Sequence, residues 1–201
     1  MIKIIDRIKG IYGSSLNKSR EKKHDHLGMD LDLLVDEEVR VKIKYYLKNI
    51  VSNFSDSIQG RLATPEAYHL FTVREDTDRK MLDEDRAAKF HHSVAQLLFS
   101  TPRISKDIHT YVELLTARVR SPDEYDWRKL QLLLQYIRST IRMSLILRVD
   151  KLNIVKWWLD TSYEMHPYFQ NGTGQTMSLG WVSVSSMSKR QKLNSRSSIE
   201  A

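Results

Sequence analysis

The chain of 201 residues contains no cysteine. Disulfide bonds and thiolate zinc sites are therefore excluded, and we expect an intracellular protein of the cytoplasm or nucleus. Glycine and proline are few, at 7 and 4 residues, and this composition with 28% charged residues argues against wholesale disorder. No apolar run approaches the roughly 18 residues that a membrane span requires, and the N-terminal MIKIIDRIKG carries charges where a signal core would be apolar. We therefore expect no membrane partner.

The charge that is present is predominantly positive. There are 32 lysines and arginines against 25 acidic residues, a net charge of +7. The excess lies at the ends, because residues 1–26 hold seven basic and three acidic residues, and residues 184–201 hold four and one. Such a distribution favours a polyanionic partner, and nucleic acid is the most natural one. Solvated basic tails are the alternative that composition leaves open.

Hydrophobic periodicity predicts the elements of the first fifty residues. Isoleucines at helical spacing in residues 1–9 predict a short helix that ends at Gly10. Residues 24–34 alternate between apolar and polar, as do residues 39–43, and the two runs predict a β-hairpin. Gly28 would let another backbone approach closely, or would mark only a bend in an ordinary strand.

Four later stretches repeat apolar residues at the helical period. The first covers residues 43–54, the second begins after Asp83 as its N-cap, and the third begins at Ser105. The fourth begins with SPDE at residues 121–124, which combines capping-box spacing with proline at the first helical position. The last three helices have short connections and should pack together, and residues 143–149 then predict a strand. The predicted buried faces are Ile43, Leu47, Ile50, Val51 and Phe54; Phe90, Val94, Leu97 and Leu98; Ile108, Val112, Leu115 and Val119; and Trp127, Leu130, Leu133, Leu134 and Ile137.

The last fifth of the chain predicts antiparallel strands. An apolar run at residues 154–159 ends in a single acid, Asp160, so we expect this acid near the end of a strand. Gly180 marks a later turn. Trp157 and Trp158 would point to opposite faces of the strand, and we expect both to pack in a core.

A basic loop at residues 189–192 precedes a predicted helix start. Ser197 and Glu200 have the spacing in which side chains satisfy the free amides of a first helical turn, so we assign Glu200 to a cap. A helix N-terminus favours anions, and the basic residues ahead of it predict a phosphate site, with a solvated loop as the alternative. These basic residues are Lys189, Arg190, Lys192 and Arg196.

The order of these stretches resembles part of the copia-type retrotransposon polyproteins. WLDTSYEMHP at 158–167, TGQTMSLG at 173–180 and SKRQKLNSRSSIEA at 188–201 are similar to the start of the ribonuclease H domain. HDHLGMDLDL at 24–33 resembles the Leu-Gly hairpin called the primer grip in reverse transcriptases, and residues 103–140 resemble the helices that link polymerase to ribonuclease H. The resemblance covers most of residues 24–201.

This resemblance implies a fold of the α+β class in three parts. Residues 1–60 would hold the end of the reverse transcriptase palm, with the primer-grip hairpin and the first thumb helix. Residues 61–148 would form a helical thumb and connection region. Residues 149–201 would form the N-terminal part of a ribonuclease H-like antiparallel sheet.

The resemblance also implies a function and a site. The full-length enzyme would synthesise DNA on an RNA template and degrade the RNA strand, with Mg²⁺ as cofactor. Asp160 would be the first metal-binding carboxylate of the ribonuclease H centre. Gly28, as part of the primer-grip hairpin, would contact nucleic acid such as an RNA–DNA hybrid, and the rest of the polyprotein is a further expected partner. The four basic residues of the predicted phosphate site would bind the same nucleic acid.

Several parts of the expected machinery do not occur in the sequence. The Tyr-x-Asp-Asp motif that holds the polymerase metals is missing, and Asp160 matches only one of several ribonuclease H carboxylates. Two-metal chemistry needs converging carboxylates, so we expect this chain to be inactive alone. A non-enzymatic basic nucleic-acid-binding protein, either a relic or a reused fragment, is the competing hypothesis. An unrelated helical interaction module is the third, and it leaves Asp160 without a role.

Overall fold

The computed structural model describes residues 2–13, 20–34, 38–54, 58–65, 79–103, 106–150, 154–166 and 170–190. Within these ranges the chain is a mixed α+β protein with five α-helices and two antiparallel sheets. The helices are α1 (Ile2–Tyr12), α2 (Lys44–Asn53), α3 (Glu84–Ser100), α4 (His109–Thr116) and α5 (Glu124–Thr140). The strands are β1 (Lys23–His26), β2 (Met29–Leu33), β3 (Glu38–Lys42), β4 (Leu145–Arg148), β5 (Lys156–His166), β6 (Gln170–Ser178) and β7 (Ser183–Arg190).

The hydrophobic core lies among α2, α3, α4 and α5. The rings of Phe54 and Trp127 meet there at 4.8 Å between centroids. The predicted faces are confirmed apart from Leu98, which is exposed, and Val51 and Val119, which are partly buried. The fully buried hydrophobic side chains are Ile50, Phe90, Val94, Leu97, Ile108, Tyr111, Val112, Leu115, Trp127, Leu130, Leu133, Leu134 and Ile137. Burial of this much apolar surface makes the four helices the stable centre of the chain.

The predicted start of α5 was wrong by two residues. Its N-cap is Asp123 and not Ser121, because the Asp123 carboxylate accepts hydrogen bonds from the amides of Tyr125 and Asp126, both at 2.9 Å. Asp126 in turn accepts from the Asp123 amide at 3.1 Å, which completes the capping box. Pro122 therefore lies before the helix and not in its first turn.

The helix starts predicted at Asp83 and Ser105 have different outcomes. Asp83 is confirmed as the N-cap of α3, since its carboxylate accepts a 2.8 Å hydrogen bond from the Arg86 amide. Ser105 lies outside the described residues. A 3-10 turn, Lys106–Ile108, precedes α4, so the α-helix begins at His109.

A charged cluster ties the start of α5 to neighbouring segments. Arg79 Nε lies 3.2 Å from Asp123 Oδ2, and Arg118 Nε lies 3.1 Å from Asp126 Oδ2. Burial opposes ionisation of Asp123, but hydrogen bonds from the Asp126 amide and from Arg79 outweigh it and lower the pKa of Asp123. Burial dominates at Asp126 and raises the pKa of that carboxyl. Removing one partner would leave a buried charge, so the cluster fixes this end of the helix.

The first sheet has the strand order β1-β2-β3-β4, all antiparallel. Residues 24–34, predicted as one strand, form two strands joined by a turn at Leu27 and Gly28. Both turn residues have positive φ, 52° and 73°, as a two-residue type I′ turn requires. The prediction of a single strand was wrong because the alternation of apolar and polar residues continues on both sides of so short a turn. The predicted pairing with residues 39–43 is confirmed as β2-β3.

The second sheet is a meander with the strand order β5-β6-β7. It is attached to the rest of the chain by a backbone bridge between Val149 and Gly180. A Cβ atom on Gly180 would lie 2.0 Å from the carbonyl oxygen of Arg148, so only glycine fits at this approach. Two side-chain contacts add to the attachment: Lys106 Nζ donates to the Ser183 carbonyl, and Ser188 Oγ donates to Glu113 Oε2.

The N-terminal helix α1 is longer than predicted. It continues through Gly10 to Tyr12 and does not end at the glycine, and Gly13 follows with φ of 56°. Its apolar residues Ile4 and Ile11 are exposed. None of the described helices is long and apolar enough to cross a membrane.

Candidate nucleic-acid interface

Asp160 lies in the interior of β5, which runs from Lys156 to His166. The prediction that it stands near a strand end was wrong, because pairing with β6 continues past it through Ser162 to His166. Its side chain is exposed. Across the sheet it is paired in register with Gly174, which is paired in turn with Ser188.

The surroundings of Asp160 do not assemble a metal centre in the described part of the chain. Three or more His, Asp or Glu side chains placed to hold one ion are not found among these residues. Two Mg²⁺ ions about 4 Å apart need several anionic ligands from different elements to offset their mutual repulsion. One exposed carboxylate does not meet that requirement.

The two tryptophans beside Asp160 are not core residues. Trp157 and Trp158 are 55% and 53% exposed, so the expectation that both pack in a core was wrong. They do point to opposite faces, as neighbours on a strand must. The apolar run was correctly identified as a strand, but no other described element covers this part of it.

Lys189 and Arg190 belong to β7, whereas the sequence predicted a basic loop here. Pairing with Thr173 and Gly172 extends the ladder to these positions. Lys189 is exposed. Lys189 is paired across the sheet with Thr173, and Thr173 is paired with Thr161, the residue after Asp160. Paired residues point to the same face of a sheet and consecutive residues to opposite faces, so the Lys189 and Asp160 side chains lie on opposite faces.

The remaining predicted positions of this basic group are not described. Lys192 and Arg196 lie outside the described residues, as does the capping pair Ser197 and Glu200. The predicted phosphate site ahead of a helix is therefore represented only by the lysine on β7 and the backbone of Arg190.

Gly28 forms the tip of the β1-β2 hairpin. A Cβ atom there would meet nothing within 4 Å, so no other part of the described chain approaches this glycine closely. Glycine suits the position because the turn requires a positive φ. Leu27 beside it is 62% exposed. The tip therefore presents an apolar side chain and open backbone to solvent. It belongs to the first sheet, whereas Asp160 and Lys189 belong to the second.

Sequence reasoning missed a cavity of about 390 Å³ between the helical core and the two sheets. Its polar lining residues are Lys44, Lys106, Asp107, Tyr136, Thr140 and Ser144. Burial lowers the pKa of Lys106, and burial together with the hydrogen bond to Asp107 raises the pKa of Tyr136 to about 12. The apolar lining includes Ile43, Leu47, Ile137, Ile141, Leu145 and Val182. No local pattern could reveal it, because its walls come from segments that are far apart in the sequence.

A second groove, of about 260 Å³, runs between α2 and α3. Its rim carries Lys89, His92, Asn53 and Gln96. Such a combination of one cation with amide and imidazole groups can contact a phosphodiester backbone without reading bases. The helical period placed Lys89 and His92 on α3, but only packing against α2 creates the groove.

Comparison with known proteins adds no assignment, since no protein-family model, curated protein sequence or solved structure matches this chain.

Proposed function

We propose that this chain is the C-terminal part of a reverse transcriptase of the copia type, followed by the opening strands of its ribonuclease H domain. The observation that carries the proposal is the order of elements: a hairpin with a Leu27-Gly28 tip, a helical bundle, and then an antiparallel meander whose first strand bears Asp160. The sequence motifs quoted above occur in that same order.

In the complete enzyme, Mg²⁺ would supply the two-metal chemistry of RNA cleavage, and Asp160 would be one of its ligands. This chain contributes the strand that presents the carboxylate to solvent. The other carboxylates would have to come from elements outside the described residues. Residues 1–201 alone therefore bind nucleic acid without cutting it.

The binding surface of the proposal is basic and not specific for sequence. A net charge of +7 attracts phosphates, and the proposed contacts are Gly28 at the hairpin tip with Lys189, Arg190, Lys192 and Arg196 at the C-terminal end. Phosphate contacts fix position without discriminating bases. An RNA–DNA hybrid is the expected partner, and other nucleic acids would bind by the same contacts.

Fluorescence anisotropy with a labelled RNA–DNA hybrid tests this proposal over a series of salt concentrations. We expect weak binding whose logarithmic affinity falls linearly with the logarithm of salt concentration. Lys189→Glu should weaken binding and make that line less steep, by an amount equal to the loss of about one to two phosphate contacts. Lys80→Glu is the matched control, since Lys80 is an exposed cation beside α5 and is not one of the proposed contacts. Affinity independent of salt would overturn the proposal.

The cavity favours one other function, that of a module that binds a small apolar molecule. A cavity of about 390 Å³ with mostly apolar walls and a few polar groups is typical of a small-molecule site. The two functions differ in one measurement. An apolar ligand would bind with little dependence on salt. Val182→Trp, at a partly buried position of the lining, would fill the cavity and block it while leaving hybrid binding unchanged.

A further inference from the structure

The outer edge of β5 is an unprotected strand edge. Within the described residues β5 pairs only with β6, so its other side presents unpaired amides and carbonyls. From Lys156 to Ser162 the ladder is regular, without proline or bulge, and the register shift comes later. Native proteins usually block such an edge with a charge, a proline or a covering element.

The side chains along this edge are more exposed than their chemistry predicts. Trp157 and Trp158 are about half exposed, and Leu159 is 71% exposed. Ile154 and Val155, directly before the strand, are exposed at 53% and 47%. Apolar side chains left exposed on both faces beside a free strand edge mark a site of association.

The two charges on the edge are self-complementary about Trp158. Lys156 and Asp160 lie two residues before and two residues after it, on the same face of the strand. If two copies of β5 pair antiparallel about a two-fold axis at Trp158, Lys156 of each copy stands opposite Asp160 of the other. The same register places Trp157 opposite Leu159 on the reverse face. Lys156 and Asp160 would oppose pairing of this edge with most other strands, but they favour pairing with a second copy of β5 in this register.

We propose that the outer edge of β5 is a homodimer interface, in which two copies join their second sheets into one antiparallel sheet of six strands centred on Trp158. Asp160 has no hydrogen-bond or ion-pair partner within its own copy in the described residues, so it is available for this contact. Lys156 already donates to Asp150 within its copy, and its ammonium group has further donors for the second carboxylate. The proposal concerns assembly, and it does not depend on the proposed nucleic-acid function.

Sedimentation velocity over a concentration series is the first test. We expect a monomer–dimer equilibrium for residues 1–201. Asp160→Lys would place lysines opposite each other twice, and we expect the dissociation constant to rise by about tenfold or more. The double variant Lys156→Asp with Asp160→Lys restores opposite charges in the same register, so dimerisation should return. A wild-type chain that stays monomeric at its highest soluble concentration, or a double variant no better than Asp160→Lys, would overturn the proposal.

Because the chain has no cysteine, crosslinking gives a second test of the register. Directly opposite residues of an antiparallel pair have Cα atoms about 4.5–5.5 Å apart, within the range of about 4.4–6.8 Å that a disulfide spans. Trp158→Cys should therefore form a disulfide dimer with diamide, which takes up the two electrons and two protons of the paired thiols. Leu159→Cys faces Trp157 of the other copy and should crosslink more slowly, as should Lys189→Cys on β7.

The rate order decides the outcome. Fastest crosslinking at position 158 supports a two-fold axis at Trp158. Fastest crosslinking at position 159, or equal rates at positions 158 and 189, would overturn the register and with it the interface. Circular dichroism of each variant checks that a lost dimer is not a lost fold.

Discussion

The helical core and the second sheet differ in how far they bury their tryptophans, as Trp127 and Trp158 show. Trp127 is 2% exposed among α2, α3 and α5, whereas Trp158 is 53% exposed on β5. Trp157 and Trp181, also in the second-sheet region, are 55% and 80% exposed. The same residue type is therefore core in one region and surface in the other. Burial depends on how many elements surround a position, and a three-stranded sheet that the described elements do not cover on both faces cannot bury both.

The largest difference should appear in catalysis. Residues 1–201 should show no Mg²⁺-dependent cleavage of a labelled RNA–DNA hybrid, because one carboxylate cannot hold two ions. A chain extended through a complete ribonuclease H domain should cleave it, and Asp160→Asn in that chain should abolish cleavage without unfolding. Glu200→Gln is the control and should cost only some stability at a helix start.

Two outcomes of that assay would contradict the assignment. Cleavage by the unextended chain would mean that residues 1–201 already hold a complete catalytic centre. Equal loss of activity in Glu200→Gln and Asp160→Asn would mean that Glu200 is a metal ligand and not a cap.

A pair of matched leucine substitutions tests the contrast in packing. Leu130→Ala, in the fully buried centre of α5, should lower the free energy of unfolding by about 2–5 kcal/mol. Leu159→Ala, on the exposed strand β5, should change it by less than about 0.5 kcal/mol at protein concentrations at which the chain is monomeric. Urea unfolding followed by circular dichroism measures both. A comparable loss in the two variants would show that the second sheet is covered in solution.

Substitution of two glycines distinguishes the attachment of the second sheet, at Gly180, from its interior, at Gly174. Gly180→Ala should weaken the attachment, because its Cβ would lie 2.0 Å from the Arg148 carbonyl oxygen. A shift of the backbone is then needed, and we expect a cost of about 1–3 kcal/mol. Gly174→Ala is the control, since its Cβ would lie 3.9 Å from the Asp160 carbonyl oxygen. Amide exchange should rise in β5, β6 and β7 of the Gly180 variant alone.

The smallest effect is a dependence of stability on pH where the two regions meet. Burial lowers the pKa of His109 from its ordinary 6.5, and the nearby Glu113 opposes this only in part. The unfolded chain therefore takes up a proton at a higher pH than the folded chain, so stability falls as pH drops below about 6.5. His109→Gln should remove this part of the pH dependence in urea unfolding. A slope that is the same in both proteins between about pH 7 and pH 5 would contradict it.

The sequence predicted the helical region far better than the site. A period of about 3.6 residues identified the buried faces of α2 to α5, because each such face is a local property of the chain. The start of α5 moved from Ser121 to Asp123, since both residues are good caps and only the hydrogen bonds of the folded chain choose between them.

Features that depend on distant residues could not be predicted. The cavity forms only when Ile43 and Val182, which are far apart in the sequence, line the same space. Trp157 is exposed because no distant segment among the described residues buries it. The position of Asp160 within its strand depends on how far β6 continues the ladder. Periodicity identifies which face of an element is apolar, but it does not identify the element that covers that face.

A substitution in the turn at Leu27 and Gly28 should increase the stability of the protein. Leucine is an uncommon residue at positive φ, whereas asparagine adopts that region readily and Asn-Gly is the preferred pair for this turn. Leu27→Asn should therefore raise the melting temperature, since it relieves the turn and removes an exposed apolar side chain. If hybrid binding weakens in the same variant, position 27 is one at which stability and recognition compete, and the leucine is kept at a cost to the fold.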